Sequence, residues 1–222
     1  MKQLISRRAA LLQAQERFNA LAKRPRRIGL FGGSFSPPHF GHLSVVFWLL
    51  GTGKVDEVWM MPCWRHAFGK RLSPFKHRLE MCHQAATLFP HGRCRICAIE
   101  KEIGGRSITL NTVRELKRRK PQELSISVSP HLHEPYPVKL RFSLVIGLDN
   151  WLVRDKWEGF DELERECRII VVGKDDQPRL PDIRSTMIRN RLAAGEDVSN
   201  MLPKGVLKYI VEHKLYIPKT KD

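Results

Sequence analysis

The segment that most constrains the fold runs from Arg27 to Leu50. A short apolar run, Arg27-Ile28-Gly29-Leu30-Phe31, stops at Gly32-Gly33, and from Gly41 a stretch with a large apolar face follows. A strand that breaks on glycines and feeds a helix is the first half of a βαβ unit. The same alternation continues. Residues 57–61, 93–99, 142–146 and 168–172 read as further strands. Residues 41–50, 74–89, 111–120, 185–194 and 204–214 read as helices. Pro74 is expected in the first turn of its helix. The third helix is expected to be capped from the Thr109/Asn111 region, and the fourth by Ser185 with Gly195 just past its end. The expected fold is therefore α/β: a doubly wound, Rossmann-like parallel sheet of five to six strands with helices on both faces. In such sheets ligands bind at the carboxyl ends of the strands, where strand order reverses. The Gly-rich break after the first strand is the first place to look.

Two segments fall outside this rhythm. Residues 1–24 read as a basic amphipathic helix, with Leu4, Ile5, Leu11, Leu12, Phe18 and Leu21 at roughly helical spacing, ended by Pro25. An apolar h-region and a cleavage site are missing, so a secretory signal is not expected. An Arg-rich organellar leader is the alternative. Residues 125–140, rich in Pro and carrying His131, His133 and Glu134, read as an inserted loop, with metal binding by those three as the alternative. The domain reading is thus a helical extension over 1–26 and a catalytic domain over 27–222.

Composition narrows the class. The apolar run Val45–Leu50 is far shorter than the roughly 20 residues of a membrane span, so no membrane association is expected. Five scattered cysteines suit reduced thiols in a cytoplasmic protein. Cys94-x-x-Cys97 lies in a strand-like stretch without a second such pair, which favours two small apolar residues over a zinc site. The net charge of +16 fits either a polyanionic partner or a small, highly charged substrate, and charge alone does not separate them.

The chemistry sits in Gly32-Gly33-Ser34-Phe35-Ser36-Pro37-Pro38-His39-Phe40-Gly41-His42. Glycines let the backbone approach phosphate oxygens and aim N–H groups at them. The helix start adds partial positive charge. His39 and His42 are three apart, so both rings can face one ligand. Neither a Gly-Lys-Ser/Thr nor a Gly-x-Gly-x-x-Gly motif is present, so a P-loop or dinucleotide fingerprint is not supported.

This His-x-Gly-His stretch resembles the hallmark of the nucleotidyltransferase superfamily that includes class I aminoacyl-tRNA synthetases. Ile183-Arg184-Ser185-Thr186-Met187-Ile188-Arg189 is similar to its second motif, with Arg184 where Ser is usual. Within the superfamily the chain resembles bacterial nicotinate-nucleotide adenylyltransferases. The stretches Ser107–Leu116, Val145–Asn150 with Lys156-Trp157, 168–173 and 201–216 carry that likeness over about residues 27–216. The region after the second strand, Pro62 to Lys70, departs from the family's Pro-Pro-His-Lys, and Asn111 stands where Asp is common.

The resemblance implies adenylyl transfer from ATP to nicotinate mononucleotide, with Mg²⁺ carried on the ATP phosphates and nicotinamide mononucleotide as the rival acceptor. A nucleic-acid-binding protein on the same scaffold is the alternative from another class, disfavoured by the complete motifs. The resemblance implies that His39, His42 and Arg189 act on the phosphates. Gly32, Gly33, Ser34, Phe35, Gly41, Gly147, Asp149, Ser185 and Thr186 would line the ATP site. Lys70, Thr109, Thr112 and Trp157 would hold the acceptor.

Overall fold

A computed structural model of the chain describes residues 24–66, 69, 72–89, 92–120, 123, 126–127, 139–174, 177 and 179–217. The expected helix over residues 1–24, apart from Arg24, most of the 125–140 segment with His131, His133 and Glu134, and Lys70 lie outside the described residues.

Strand β1 (Arg26–Gly33) runs into helix α1 (Phe40–Gly51), then β2 (Glu57–Pro62), α2 (Phe75–Ala86) and β3 (Cys94–Cys97). A short α3 (Ile99–Ile103) and α4 (Thr109–Arg118) lead to β4 (Ile126–Ser127). Then follow β5 (Leu140–Gly147), α5 (Leu148–Leu152), α6 (Phe160–Glu166), β6 (Arg168–Val172), α7 (Ser185–Ala193) and α8 (Lys204–Glu212). The sheet order is β4-β3-β2-β1-β5-β6. Five strands are parallel, as expected, but β4 pairs antiparallel with β3 at Ile96↔Ser127 and Cys97↔Ile126. The sixth strand thus arises inside the segment read as a loop, because an edge strand of two residues is too short to leave a periodic signal.

Alternation along the strands sends successive side chains to opposite faces. Val58 and Met60 of β2 join Leu43, Val46 and Leu49 of α1, Met81 and Cys82 of α2, Ile188 of α7 and Val206 and Ile210 of α8. Trp59 and Met61 join Leu110, Val113 and Leu116 of α4 and Phe160 and Leu163 of α6. Helices therefore cover both faces, and each buried Leu, Ile or Val contributes about 1.5–3 kcal/mol. The same alternation separates the two cysteines of β3. Cys94 packs in one core and Cys97 in the other, and burial pushes both thiols up to about 12. Two side chains on opposite faces of one strand cannot share a metal, so these are core residues.

Three caps differ from expectation. Pro74 is the N-cap of α2 rather than its first residue. The N-cap of α4 is Ile108, with no side-chain cap from Thr109 or Asn111. The N-cap of α7 is Arg184, because the Ser185 hydroxyl is spent on a tertiary contact described below. Gly195 does follow α7 in the left-handed conformation, at φ +74°.

The chain lays down β1, β2 and β3 in one direction, then returns to place β5 and β6 on the other side of β1. Crossovers leave β1 and β5 on opposite faces, so a crevice opens above their carboxyl ends.

Candidate active site

Strand β1 ends at this crevice on Gly32 and Gly33. A Cβ on Gly33 would sit 3.0 Å from the Phe35 ring, so packing alone demands glycine there. A Cβ on Gly32 would meet nothing within 4 Å. What Gly32 keeps clear is the open space over the strand end. Ser34 follows, its carbonyl held by Arg78 Nη1 at 2.9 Å. Phe35 is fully buried and left-handed at φ +46°, a costly conformation for an aromatic residue. Its ring stands edge-on to both Phe31, at 5.6 Å, and His42, at 4.9 Å. Phe35 is thus the floor on which His42 rests.

His39 is the N-cap of α1, in extended conformation. Its backbone N–H donates to His42 Nδ1 at 3.3 Å. This is one half of a reciprocal capping box. The other half is loose, since the buried His39 Nδ1 meets no partner at hydrogen-bonding geometry. The two rings stack with centroids 3.7 Å apart. Burial lowers the His39 pKa to about 4. Burial, and then the proximity of His39, lower that of His42 well below the usual histidine value. Both imidazoles are therefore neutral at pH 7. With Nδ1 of His42 accepting, its proton sits on Nε2, which makes that nitrogen a fixed donor. Gly41 allows this close assembly: a Cβ there would lie 3.0 Å from His39 Nδ1 and 3.1 Å from the Ile183 carbonyl oxygen.

The second motif is bolted to the first. Ser185 Oγ donates to the Pro37 carbonyl at 2.9 Å. Arg189 Nη1 donates to the Ser36 carbonyl at 2.8 Å, and its Nη2 to Thr186 Oγ1 at 3.1 Å. The start of α7, with Arg189 one turn in, therefore faces the His39–His42 loop. At the end of β5, a Cβ on Gly147 would lie 2.5 Å from Asp149 Oδ1, so that carboxylate folds back over the strand end.

On the other side of the crevice the residues are arranged differently. Thr109 opens α4 and is half-buried. Thr112 is buried, and its hydroxyl donates to the Ile108 carbonyl at 3.3 Å and lies 3.5 Å from Glu100 Oε1. Glu100 also accepts the Trp64 N–H at 3.1 Å, and burial raises its pKa above the usual carboxylate value. Ser107 is joined to Arg65 through both backbone and side chain, at 3.1 and 3.3 Å. Trp157 packs edge-on to Phe160, and its buried Nε1 has no hydrogen-bond partner. Asn111 lines an open groove on the outside of α4 with Glu102, Arg114 and Arg118.

Arg78 is the residue that sequence reasoning missed. It is almost wholly buried, and its guanidinium donates to the carbonyls of Ser34, Cys63 and Ser73 at 2.8–2.9 Å. One side chain thus ties the loop after β1 to both ends of the connection between β2 and α2. A signal was present: Arg78 shares the inward stripe of α2 with Met81, Cys82 and Ala85. A cation in line with an apolar face needs partners inside.

The chain is also similar to known proteins. A family model described as cytidylyltransferase-like matches residues 30–191. A probable nicotinate-nucleotide adenylyltransferase from Anaeromyxobacter dehalogenans (strain 2CP-C) is 41% identical over 197 residues, covering 86% of this chain and 97% of its own. Its counterpart from Myxococcus xanthus (strain DK1622) is 35% identical over 199 residues, covering 86% and 94%. Among solved structures, one described as a putative nicotinate-nucleotide adenylyltransferase from Vibrio parahaemolyticus superposes with a TM-score of 0.63 at 20% identity, covering 86% of this chain and 95% of that one.

Proposed function

We propose a reaction for a chain that belongs to the cytidylyltransferase-like family and, within it, to the nicotinate-nucleotide adenylyltransferases: transfer of the adenylyl group of ATP to nicotinate mononucleotide, a step in NAD biosynthesis. The acceptor's 5′-phosphate oxygen attacks the α-phosphorus in line. The new O–P bond forms as the bond to the β-phosphate oxygen breaks, and pyrophosphate leaves with that electron pair. The products are nicotinate adenine dinucleotide and pyrophosphate. The nucleophile is already anionic, so neither a general base nor a covalent enzyme intermediate is required. What remains for the protein is alignment and stabilisation of charge.

The observation that carries this reading is the coupling of the two motifs, Ser185 to Pro37 and Arg189 to Ser36. It puts a neutral donor pair, a helix start and a guanidinium around one crevice. In this reading His39 and His42 hold the α- and β-phosphate oxygens, with backbone N–H groups of Gly32 to Phe35 beside them. Ser185, Thr186 and Arg189 hold the β- and γ-phosphates. Gly147 and Asp149 lie along the ribose. Trp157 stacks on the pyridine ring, and Thr109, Thr112 and Lys70 complete the acceptor side.

Mg²⁺ fits this donor set as an ion carried by the nucleotide. Neutral imidazoles and amides leave much of the ATP charge uncompensated, and Mg²⁺ is commonly held by substrate phosphates. When bound it would neutralise charge on the phosphate chain. Among the described residues no helix is long and apolar enough to cross a membrane, and the reading has the enzyme work in the cytoplasm on soluble nucleotides.

The test is product analysis with MgATP and each mononucleotide in turn. Formation of the deamido dinucleotide from nicotinate mononucleotide, at least about tenfold faster than the amide product from nicotinamide mononucleotide, supports the assignment. Equal rates, or preference for the amide, would reassign the acceptor.

A further inference from the structure

The residues just after α8 return to the phosphate loop. Tyr216 sits there with its hydroxyl 3.2 Å from Ser36 Oγ, and Ser36 Oγ in turn donates to Ser73 Oγ at 3.2 Å. Ser36 has a single hydroxyl proton. With that proton given to Ser73, the Tyr216 O–H must be the donor to Ser36. Burial raises the Tyr216 pKa above the usual phenol value, so the donor proton stays in place at neutral pH. The Ser36 carbonyl is the acceptor of Arg189, and the next carbonyl, that of Pro37, is the acceptor of Ser185. Ser36 is therefore gripped from three sides: α7, the turn before α2, and the chain that follows α8.

A second, independent observation concerns the backbone. Lys214 and Tyr216 are both left-handed, at φ +48° and +63°, and neither is glycine. Lys214 closes α8 as its left-handed cap, with the Leu215 N–H donating to the Ile210 carbonyl at 2.9 Å, whereas Tyr216 lies beyond the cap and its conformation costs about 1 kcal/mol or more. Tyr216 is held by its hydroxyl contacts with Ser36 and Ser73 and by packing against the core.

We propose that Tyr216 is a positioning residue for the phosphate donor: residues 213–217 form a strap whose phenol fixes Ser36, and through it the His39–His42 loop and Arg189. The proposal rests on the adenylyl-transfer reading and adds a requirement for the C-terminal strap to it. The hydroxyl touches no reacting atom. Its influence passes through Ser36 to the ATP side of the crevice and leaves the acceptor side alone.

The experiment compares the full chain with Tyr216→Phe, Ser36→Ala and the double variant. Phe keeps the ring packing and deletes only the donor. The readouts are kcat, KM for ATP and for nicotinate mononucleotide, and calorimetric binding of MgATP without acceptor. Losing one buried hydrogen bond predicts a fall of about 3- to 10-fold in kcat/KM for ATP and a comparable weakening of MgATP binding. KM for the mononucleotide stays unchanged, and the double variant is no worse than the poorer single, because both changes cut one link. Unchanged ATP parameters in Tyr216→Phe overturn the proposal, as do equal losses toward both substrates or fully additive losses. If the unaltered chain makes no dinucleotide, the adenylyl-transfer reading fails by itself. The MgATP-binding arm then decides the strap: weakened binding in Tyr216→Phe upholds it, and binding equal to the unaltered chain overturns it.

Discussion

The side of the crevice proposed to hold the phosphate donor and the side proposed to hold the acceptor are built in different ways. On the donor side, bonds to Ser36 and Pro37 come from Arg189, Ser185 and Tyr216, residues some 150–180 positions away. The histidine rings stack on each other, and His42 rests against the edge-on ring of Phe35, whose own backbone is strained to provide the support. On the proposed acceptor side the bonds of Thr112 and Ser107 span shorter stretches of chain, up to 42 positions. Thr112 reaches its own helix and Glu100, and Ser107 ties down the Arg65 loop. Trp157 keeps an unpartnered Nε1. The contrast fits the chemistry: a triphosphate must be held in one in-line geometry, whereas the acceptor side has to admit and release a flat ring and its ribose phosphate.

The sharpest way to break this comparison is His42→Ala. Removing one fixed donor from a charge-stabilising site costs about 10²–10³ in kcat, with KM for the mononucleotide little changed. Near-normal steady-state turnover would remove His42 from the site. Arg78→Met comes next, and acts on stability. It strands three carbonyl acceptors, so denaturant unfolding should show a loss of about 3 kcal/mol; a loss under about 1 kcal/mol would mean that the two loops do not depend on this guanidinium. Gly32→Ala sharpens the account differently. Its Cβ meets no protein atom, so the melting temperature should hold while KM for ATP rises at least about tenfold, a change of about 1.4 kcal/mol. Unchanged ATP kinetics would show that the space over β1 is not where the nucleotide lies. Trp157→Leu should raise KM for the mononucleotide about fivefold and leave ATP binding alone, the scale of one ring-stacking contact.

The smallest effect is on pH dependence. His39 is neutral when folded down to about pH 4 but titrates near 6.5 when unfolded. Between those values the unfolded chain binds the extra proton, so stability is full above about pH 6.5 and falls as pH drops through the window. Between pH 7 and 6 His39 contributes a loss of about 0.7 kcal/mol beside that of His42, and His39→Gln should reduce the loss seen in urea titrations by about that amount. Asp56 adds a separate acid loss lower down. Burial alone would raise its pKa, but hydrogen bonds from Arg27 and Arg24 carry it down to about 2, so its contribution disappears as pH falls from about 4 toward 2.

The same contrast explains what the sequence made legible. The Gly32–His42 loop was readable because phosphate binding needs its residues close together in the chain. The five parallel strands were readable as apolar runs between glycines and prolines. Helices α3, α5 and α6, of five to seven residues, were not, because so few turns carry no measurable period. Tyr216 and Ser73 were invisible as partners of Ser36, since nothing local couples positions that far apart. Ser185 was read as a cap because its position suits one, but a tertiary acceptor, the Pro37 carbonyl, took its hydroxyl.

The most direct test of the central claim is pyrophosphate release from MgATP, measured side by side for the unaltered chain and His42→Ala, with nicotinate mononucleotide and with no acceptor. Adenylyl transfer with His42 as a fixed donor predicts release that requires the acceptor and that falls by about 10²–10³ in the variant. Acceptor-independent release, or equal release from both proteins, would contradict it.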